Sequence, residues 1–137
     1  MPECAFVSLG SNLGDRKGFL IYGRTRLSRL PQTLLLAESS IEETAPLGPA
    51  QQGPYLNQMV LLRTDLSARK LLRYCQAIER EAGRVRGERW GARTLDLDIV
   101  RFGSHVEDSQ DLVLPHPEVP NRGFWQREIA ELEQMKP

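Results

Sequence analysis

Residues 94–102 (TLDLDIVRF) alternate: Leu95, Leu97 and Ile99 fall on one side, Asp96, Asp98 and Val100 on the other. A repeat of two is the signature of a β-strand. The apolar side demands a core, while the two carboxylates demand water, cationic partners or a metal ion.

Positions two apart on a strand lie roughly 6.5–7 Å apart. Carboxylates at that spacing can converge on two metal ions about 3.5–4 Å apart. The residues just before the strand sharpen this reading. Gly83 to Arg93 (GRVRGERWGAR) holds Arg84, Arg86, Arg89 and Arg93, with Trp90 and three glycines, Gly83, Gly87 and Gly91. Guanidinium forks suit phosphate oxygens, and hard carboxylate oxygens suit magnesium. Glycine hinges around an arginine-rich loop describe a lid closing over an anionic substrate. A nucleoside triphosphate with its metal is the first substrate that needs both features. The plain alternative is a solvated strand face paired with a solvated basic loop.

With 137 residues the chain is long enough for one domain, 1–137, with a real core. Its 18 basic and 18 acidic residues cancel, so nothing global points to a nucleic acid or a membrane surface. No run of 18 apolar residues occurs, and the N-terminal residues lack the pattern of a signal peptide. Cys4 and Cys75 form no metal spacing and read as reduced core residues of a cytoplasmic protein.

Residues 4–9 (CAFVSL) read as a buried strand, followed by a turn at Gly10, Ser11 and Asn12. A helix capped by Asp15 runs toward Pro31, burying Phe19, Leu20, Leu27 and Leu30 and tolerating Gly18 and Gly23. Residues 34–44 form a second strand. Residues 45–54 form a loop rich in proline and glycine, and residues 55–64 a third strand. Ser67 caps the clearest helix, whose stripe is Ala68, Leu71, Leu72, Cys75, Ile78 and Ala82. The fourth strand is 94–102. A turn or small hairpin spans 104–114, a loop 115–123 and a last helix 124–135. Strand, helix, strand, strand, helix, strand is the α+β ferredoxin-like sandwich: a four-stranded antiparallel sheet with helices on one face (βαββαβ).

Tyr55 and Asn57 share a strand face, and Trp90 and Phe124 stand in a loop or at an element end. Aromatic rings flanking an amide suit a flat heterocycle, with ordinary core packing the alternative for Tyr55 and Phe124. His116, held between Pro115 and Pro117 and six residues before Arg122, could touch a phosphate, although a lone histidine is more often structural or exposed. Gly10 to Arg16 (GSNLGDR) precedes a helix but lacks the G-K-[ST] ending of a phosphate loop.

Assembled, these segments resemble the 6-hydroxymethyl-7,8-dihydropterin pyrophosphokinases of folate biosynthesis. The likeness runs through G-S-N-L-G-D (residues 10–15), T-x-P-L-G (44–48), Y-L-N (55–57) and G-R-V-R with E-R-W-G (83–91). It continues in R-T-L-D-L-D-I (93–99), P-H (115–116) and N-R-G-F (121–124). It implies a monomer that moves the terminal diphosphate of ATP to the pterin hydroxymethyl group and leaves AMP. Asp96 and Asp98 would hold two magnesium ions. Arg84, Arg93 and His116 would contact ATP, with Arg86, Arg89, Trp90 and Arg122 in the same phosphate and lid neighbourhood. Gln76, Glu79 and Ile99 would lie along the nucleotide. Tyr55 and Phe124 would sandwich the pterin, with Thr44, Leu47 and Asn57 on its hydrogen-bonding edge and Trp90 and Asp96 beside it. Ala45 and Ala92 replace prolines common in the family. After Phe124 the sequence W-Q-R leads straight to Glu128-Ile129-Ala130, without the family's Pro-Leu pair. Two rival readings are an RNA-gripping ferredoxin-like module and a conventional kinase releasing ADP. Neutral charge and the lack of an RNP-type aromatic motif weigh against the first.

Overall fold

The strand announced by the alternation is β5 (Asp96–Phe102). Leu97 and Ile99, with Leu95 just before it, enter the main core, and Val100 enters a second apolar cluster on the opposite face. The computed structural model describes residues 2–45, 53–83 and 94–135. Leu47 and the arginine loop with Arg84, Arg86, Arg89, Trp90 and Arg93 lie outside the described residues.

The other elements are β1 (Glu3–Ser11), α1 (Arg16–Ser28), β2 (Thr33–Glu38), β3 (Glu42–Thr44), β4 (Tyr55–Thr64) and α2 (Ala68–Glu81). After β5 come a small hairpin, β6 (Glu107–Asp108) with β7 (Val113–Leu114), a 3-10 turn at Val119–Asn121, and α3 (Gly123–Met135). The main sheet runs β2-β4-β1-β5 and is antiparallel throughout, with β3 also paired to β4. This is the interleaved order that two βαβ halves produce.

Three features depart from the sequence reading. The single strand expected over 34–44 is two, β2 and β3. Between them Ser39 is buried and turns its polar groups onto β4: its amide donates to the Met59 carbonyl, and its hydroxyl accepts from the Met59 amide, each at 2.9 Å. Serine hydroxyls compete with the ladder in this way and break it. Second, Gly10 and Ser11 are not a turn but the last residues of β1, paired with Asn57 and Leu56 of β4. Third, the helices are not confined to one face. α1 and α2 cover Ala5, Val7 and Leu9, while α3 lays Trp125, Ile129 and Leu132 over Phe6, Met59, Leu61 and Val100 on the other side. Amphipathicity reports that a helix buries a stripe, not which side of a sheet receives it.

Local chemistry fixes the helix ends. Asp15 accepts from the Gly18 amide and Ser67 from the Lys70 amide, both at 3.1 Å. Gly23, unfavourable inside a helix, is there for clearance: a Cβ would come within 2.8 Å of Leu9 Cδ2. A bulge on β5 matters more for the site. The register against β1 jumps from Arg101 opposite Phe6 to Ile99 opposite Val7, leaving Val100 as the extra residue. The freed Val100 carbonyl accepts the His116 amide at 2.9 Å, which pins the proline-bounded loop to the sheet.

One group is costly. Glu128 of α3 is 2% exposed, and neither carboxylate oxygen is hydrogen-bonded among the described residues. Burial above all, with Glu42 and Glu131 adding and Arg127 opposing, pushes its pKa up to about 8. The folded state therefore holds a proton that the unfolded chain releases near the ordinary 4.5. Stability is undiminished below that value and falls as pH rises through about 8. Between pH 6 and 9 the wild-type chain should lose roughly 1–3 kcal/mol in urea unfolding, and Glu128→Gln should lose much less. Identical pH slopes for the two proteins would refute the assignment.

Candidate active site

The candidate site lies on the α3 face, where β4, β1 and β5 run side by side. β1 is the middle strand, and its two outward residues there are small. Gly10 is registered between Asn57 and Asp96, and Ser8 between Met59 and Asp98. Tyr55 and Asn57 thus stand on one flank and Asp96 and Asp98 on the other. Tyr55 spans the gap: its hydroxyl donates to Asp96 Oδ2 at 3.4 Å. Gly10 permits this, because a Cβ would lie 3.3 Å from Tyr55 Cδ1 and 3.4 Å from Asn57 Oδ1. Asn57 is buried, and its amide nitrogen donates to Thr44 Oγ1 at 2.5 Å, which orients the amide. The turn after β1 is tied to the same edge: Arg16 donates to the Pro54 carbonyl at 2.9 Å and pairs with Glu43 at 3.1 Å.

The His116 ring continues the row of carboxylates. Its Nδ1 accepts the Glu118 amide at 3.1 Å, so the neutral ring carries its proton on Nε2, 3.9 Å from Asp98 Oδ1. Burial, then Arg122, lowers the His116 pKa against the opposing pull of Glu118. Below it lies Trp125, fully buried, donating from Nε1 to Ser8 Oγ at 2.9 Å. The imidazole meets the indole edge-on at 4.8 Å, and the Arg122 guanidinium lies 4.4 Å from the indole centroid. Phe124, half-buried in the first turn of α3, packs against the same cluster.

The remaining expected residues sit around the β5 edge. Glu79 of α2 is buried, and its Oε2 accepts the Leu97 amide at 2.7 Å, fastening α2 to that edge strand. Gln76 is half-buried on the same helix. The Ile99 side chain is committed to the main core, so only its backbone can face a ligand. Cys75 is buried and its thiol pKa is driven far up, which rules out a nucleophilic role.

The donors offered by Asp96 and Asp98 are carboxylate oxygens, and the Asp98 side chain is 42% exposed. Among the described residues no group of three or more His, Cys, Asp or Glu is placed to hold a metal. Solvent-open carboxylate oxygens suit a cation that keeps its waters and takes substrate oxygens, as magnesium does. Gly10 and Trp125 were absent from the expected site. A glycine inside an apolar strand pattern is a recognised sign of close approach, so Gly10 was detectable; Trp125 carried no signal, because only the fold brings α3 against Ser8.

The profile of the 7,8-dihydro-6-hydroxymethylpterin pyrophosphokinase family matches residues 6–134. The chain belongs to that family. The 2-amino-4-hydroxy-6-hydroxymethyldihydropteridine pyrophosphokinase of Haemophilus influenzae is 42% identical over 120 residues, 88% of this chain and 75% of the relative. The Pseudomonas aeruginosa protein of the same name is 42% identical over 132 residues, covering 96% and 82%. The Bacillus subtilis one is 39% identical, covering 96% and 79%. Membership in a pyrophosphokinase family makes the chain an enzyme of diphosphate transfer from ATP. For such an enzyme Gly10→Ala is informative. The added methyl should push Tyr55 and Asn57 aside and raise the KM for the dihydropterin by roughly tenfold, a loss of about 1.4 kcal/mol. An unchanged pterin KM in steady-state kinetics would show that Gly10 serves packing alone.

Proposed function

We propose that this pyrophosphokinase carries out its reaction over Gly10, passing the terminal diphosphate of ATP to the hydroxymethyl oxygen of 6-hydroxymethyl-7,8-dihydropterin and releasing AMP. The observation that carries the reading is the arrangement across β1: an aromatic ring and an oriented amide on one flank, two carboxylates and an imidazole on the other.

The roles follow from what each group can do. Tyr55 and Phe124 offer faces for the pterin ring, and Asn57, Thr44 and Leu47 its hydrogen-bonding edge. Asp96 lies beside the Tyr55 hydroxyl, where the pterin's reacting arm would meet the phosphates. Asp96 and Asp98 would hold two magnesium ions, which when bound polarise the transferred phosphoryl group and lower the proton affinity of the attacking hydroxyl. His116 Nε2 donates to a phosphate oxygen without needing a positive charge, in keeping with its lowered pKa. Arg84, Arg93 and Arg122, with Arg86 and Arg89, neutralise charge on the transferred group. Trp90 closes with the lid to exclude water. Gln76, Glu79 and the Ile99 backbone line the path a nucleotide takes around the β5 edge. No side chain is required as a general base. A cytoplasmic monomer, a single domain over 1–137, suits two small-molecule substrates. Nucleic acid and membrane have no part in this reading; no described helix is long and apolar enough to cross a membrane.

The test is a product assay with Mg²⁺-ATP and the dihydropterin, resolving AMP from ADP. Pterin-dependent AMP is expected; ADP would mean single-phosphoryl transfer. Asp98→Ala should lower kcat by roughly 10²-fold or more, and a loss under about tenfold would remove Asp98 from the metal site. RNA affinity with no AMP formation would favour the binding-module reading.

A further inference from the structure

Trp125 lies outside the roles set out above, yet two residues that carry them, His116 and Arg122, meet on it. Its indole is 1% exposed, its N–H is taken by Ser8, and the His116 ring stands edge-on against it at 4.8 Å. The Arg122 guanidinium stacks on it at 4.4 Å. Arg122 Nε is buried and has no hydrogen-bond partner among the described residues. A guanidinium held over a ring face loses conformational freedom without spending its N–H groups, which leaves it pre-ordered for an oxyanion. The indole itself cannot drift. The Ser8 hydroxyl fixes its N–H edge, the imidazole stands against it at 87°, and Ser8 is registered opposite Asp98. The chain of contacts therefore runs from the carboxylate strand through β1 and Trp125 to Arg122.

We propose that Trp125 is a positioning residue for Arg122, setting its guanidinium for the triphosphate through the stacked indole. It rests on the reading that this site takes ATP. Trp125 touches no substrate in this scheme; it acts by removing conformational freedom that Arg122 would otherwise lose on binding.

The experiment is a double-mutant cycle read by calorimetric binding of Mg²⁺ with α,β-methylene-ATP, an analogue that blocks transfer. Wild type, Trp125→Leu, Arg122→Ala and the double variant are compared, with thermal unfolding as the check on folding. Trp125→Leu should weaken analogue binding by about tenfold, in line with loss of a desolvated cation–π contact. The same change made in the Arg122→Ala background should cost nothing further, which a purely structural tryptophan would not produce. Additive losses, or unchanged binding in Trp125→Leu, overturn the proposal. Should Trp125→Leu fail to fold, the cycle is run with Trp125→Phe, whose smaller ring predicts about a threefold loss that again vanishes without Arg122. Failure of the ATP reading is seen separately: wild type would then neither bind the analogue nor form AMP.

Discussion

β1 is the constraint on which the molecule depends. It is paired along both edges, to β4 and to β5, and covered on both faces, by α1 and α2 on one side and α3 on the other. A strand so enclosed has no tolerance for register error, since a slip of one residue would exchange its two faces. Its own sequence exploits that rigidity. Phe6 fills the space beneath α3, whereas Ser8 and Gly10, on the same face toward the strand's end, leave the sheet nearly bare. Side chains from both neighbours can then approach each other above a backbone floor. A Cβ at Gly10 would press on Tyr55 Cδ1 at 3.3 Å, and Ser8 supplies the oxygen that Trp125 Nε1 donates to.

Most of the candidate face was legible because it is written with a period of two. Asp96 and Asp98 were assignable to one face of β5, and Tyr55 with Asn57 to one face of β4, from alternation alone. That the two faces are the same face of one sheet is a matter of register, which sets Gly10 of β1 opposite both Asn57 and Asp96. The break at Ser39 was not legible, since it depends on a hydroxyl finding the Met59 backbone across the sheet. Nor was the side taken by α3. Its stripe fits either face, and the choice is made by Phe6, Met59, Leu61 and Val100, residues scattered over three strands.

The bulge at Val100 links fold to function in a way no motif expresses. An unbulged β5 would bond its carbonyls into the ladder with β1 and leave the loop at 115–118 without an anchor. The extra residue does two things: its side chain joins the cluster under α3, and its carbonyl captures the His116 amide. His116 is thereby fixed two positions along from Asp98, and the Glu118 amide then sets its tautomer. The proline-bounded loop supplies stiffness, but its location is set by the strand.

The departure from the family pattern after Phe124 acquires a physical meaning in this frame. The shorter link brings Trp125 into α3 directly after the ring expected to face the pterin, and the indole takes up the space between Ser8 and His116. A tail of different sequence has to satisfy the same demand, a lid over the bare part of the sheet that also orders the groups around Asp98. Here one buried aromatic meets that demand by burying its area against the second cluster while its own N–H is satisfied by Ser8. Glu128, one turn further along α3, shows the opposite case. A carboxylate enclosed without partners favours its protonated form, and the same helix that orders the site therefore couples the fold to pH.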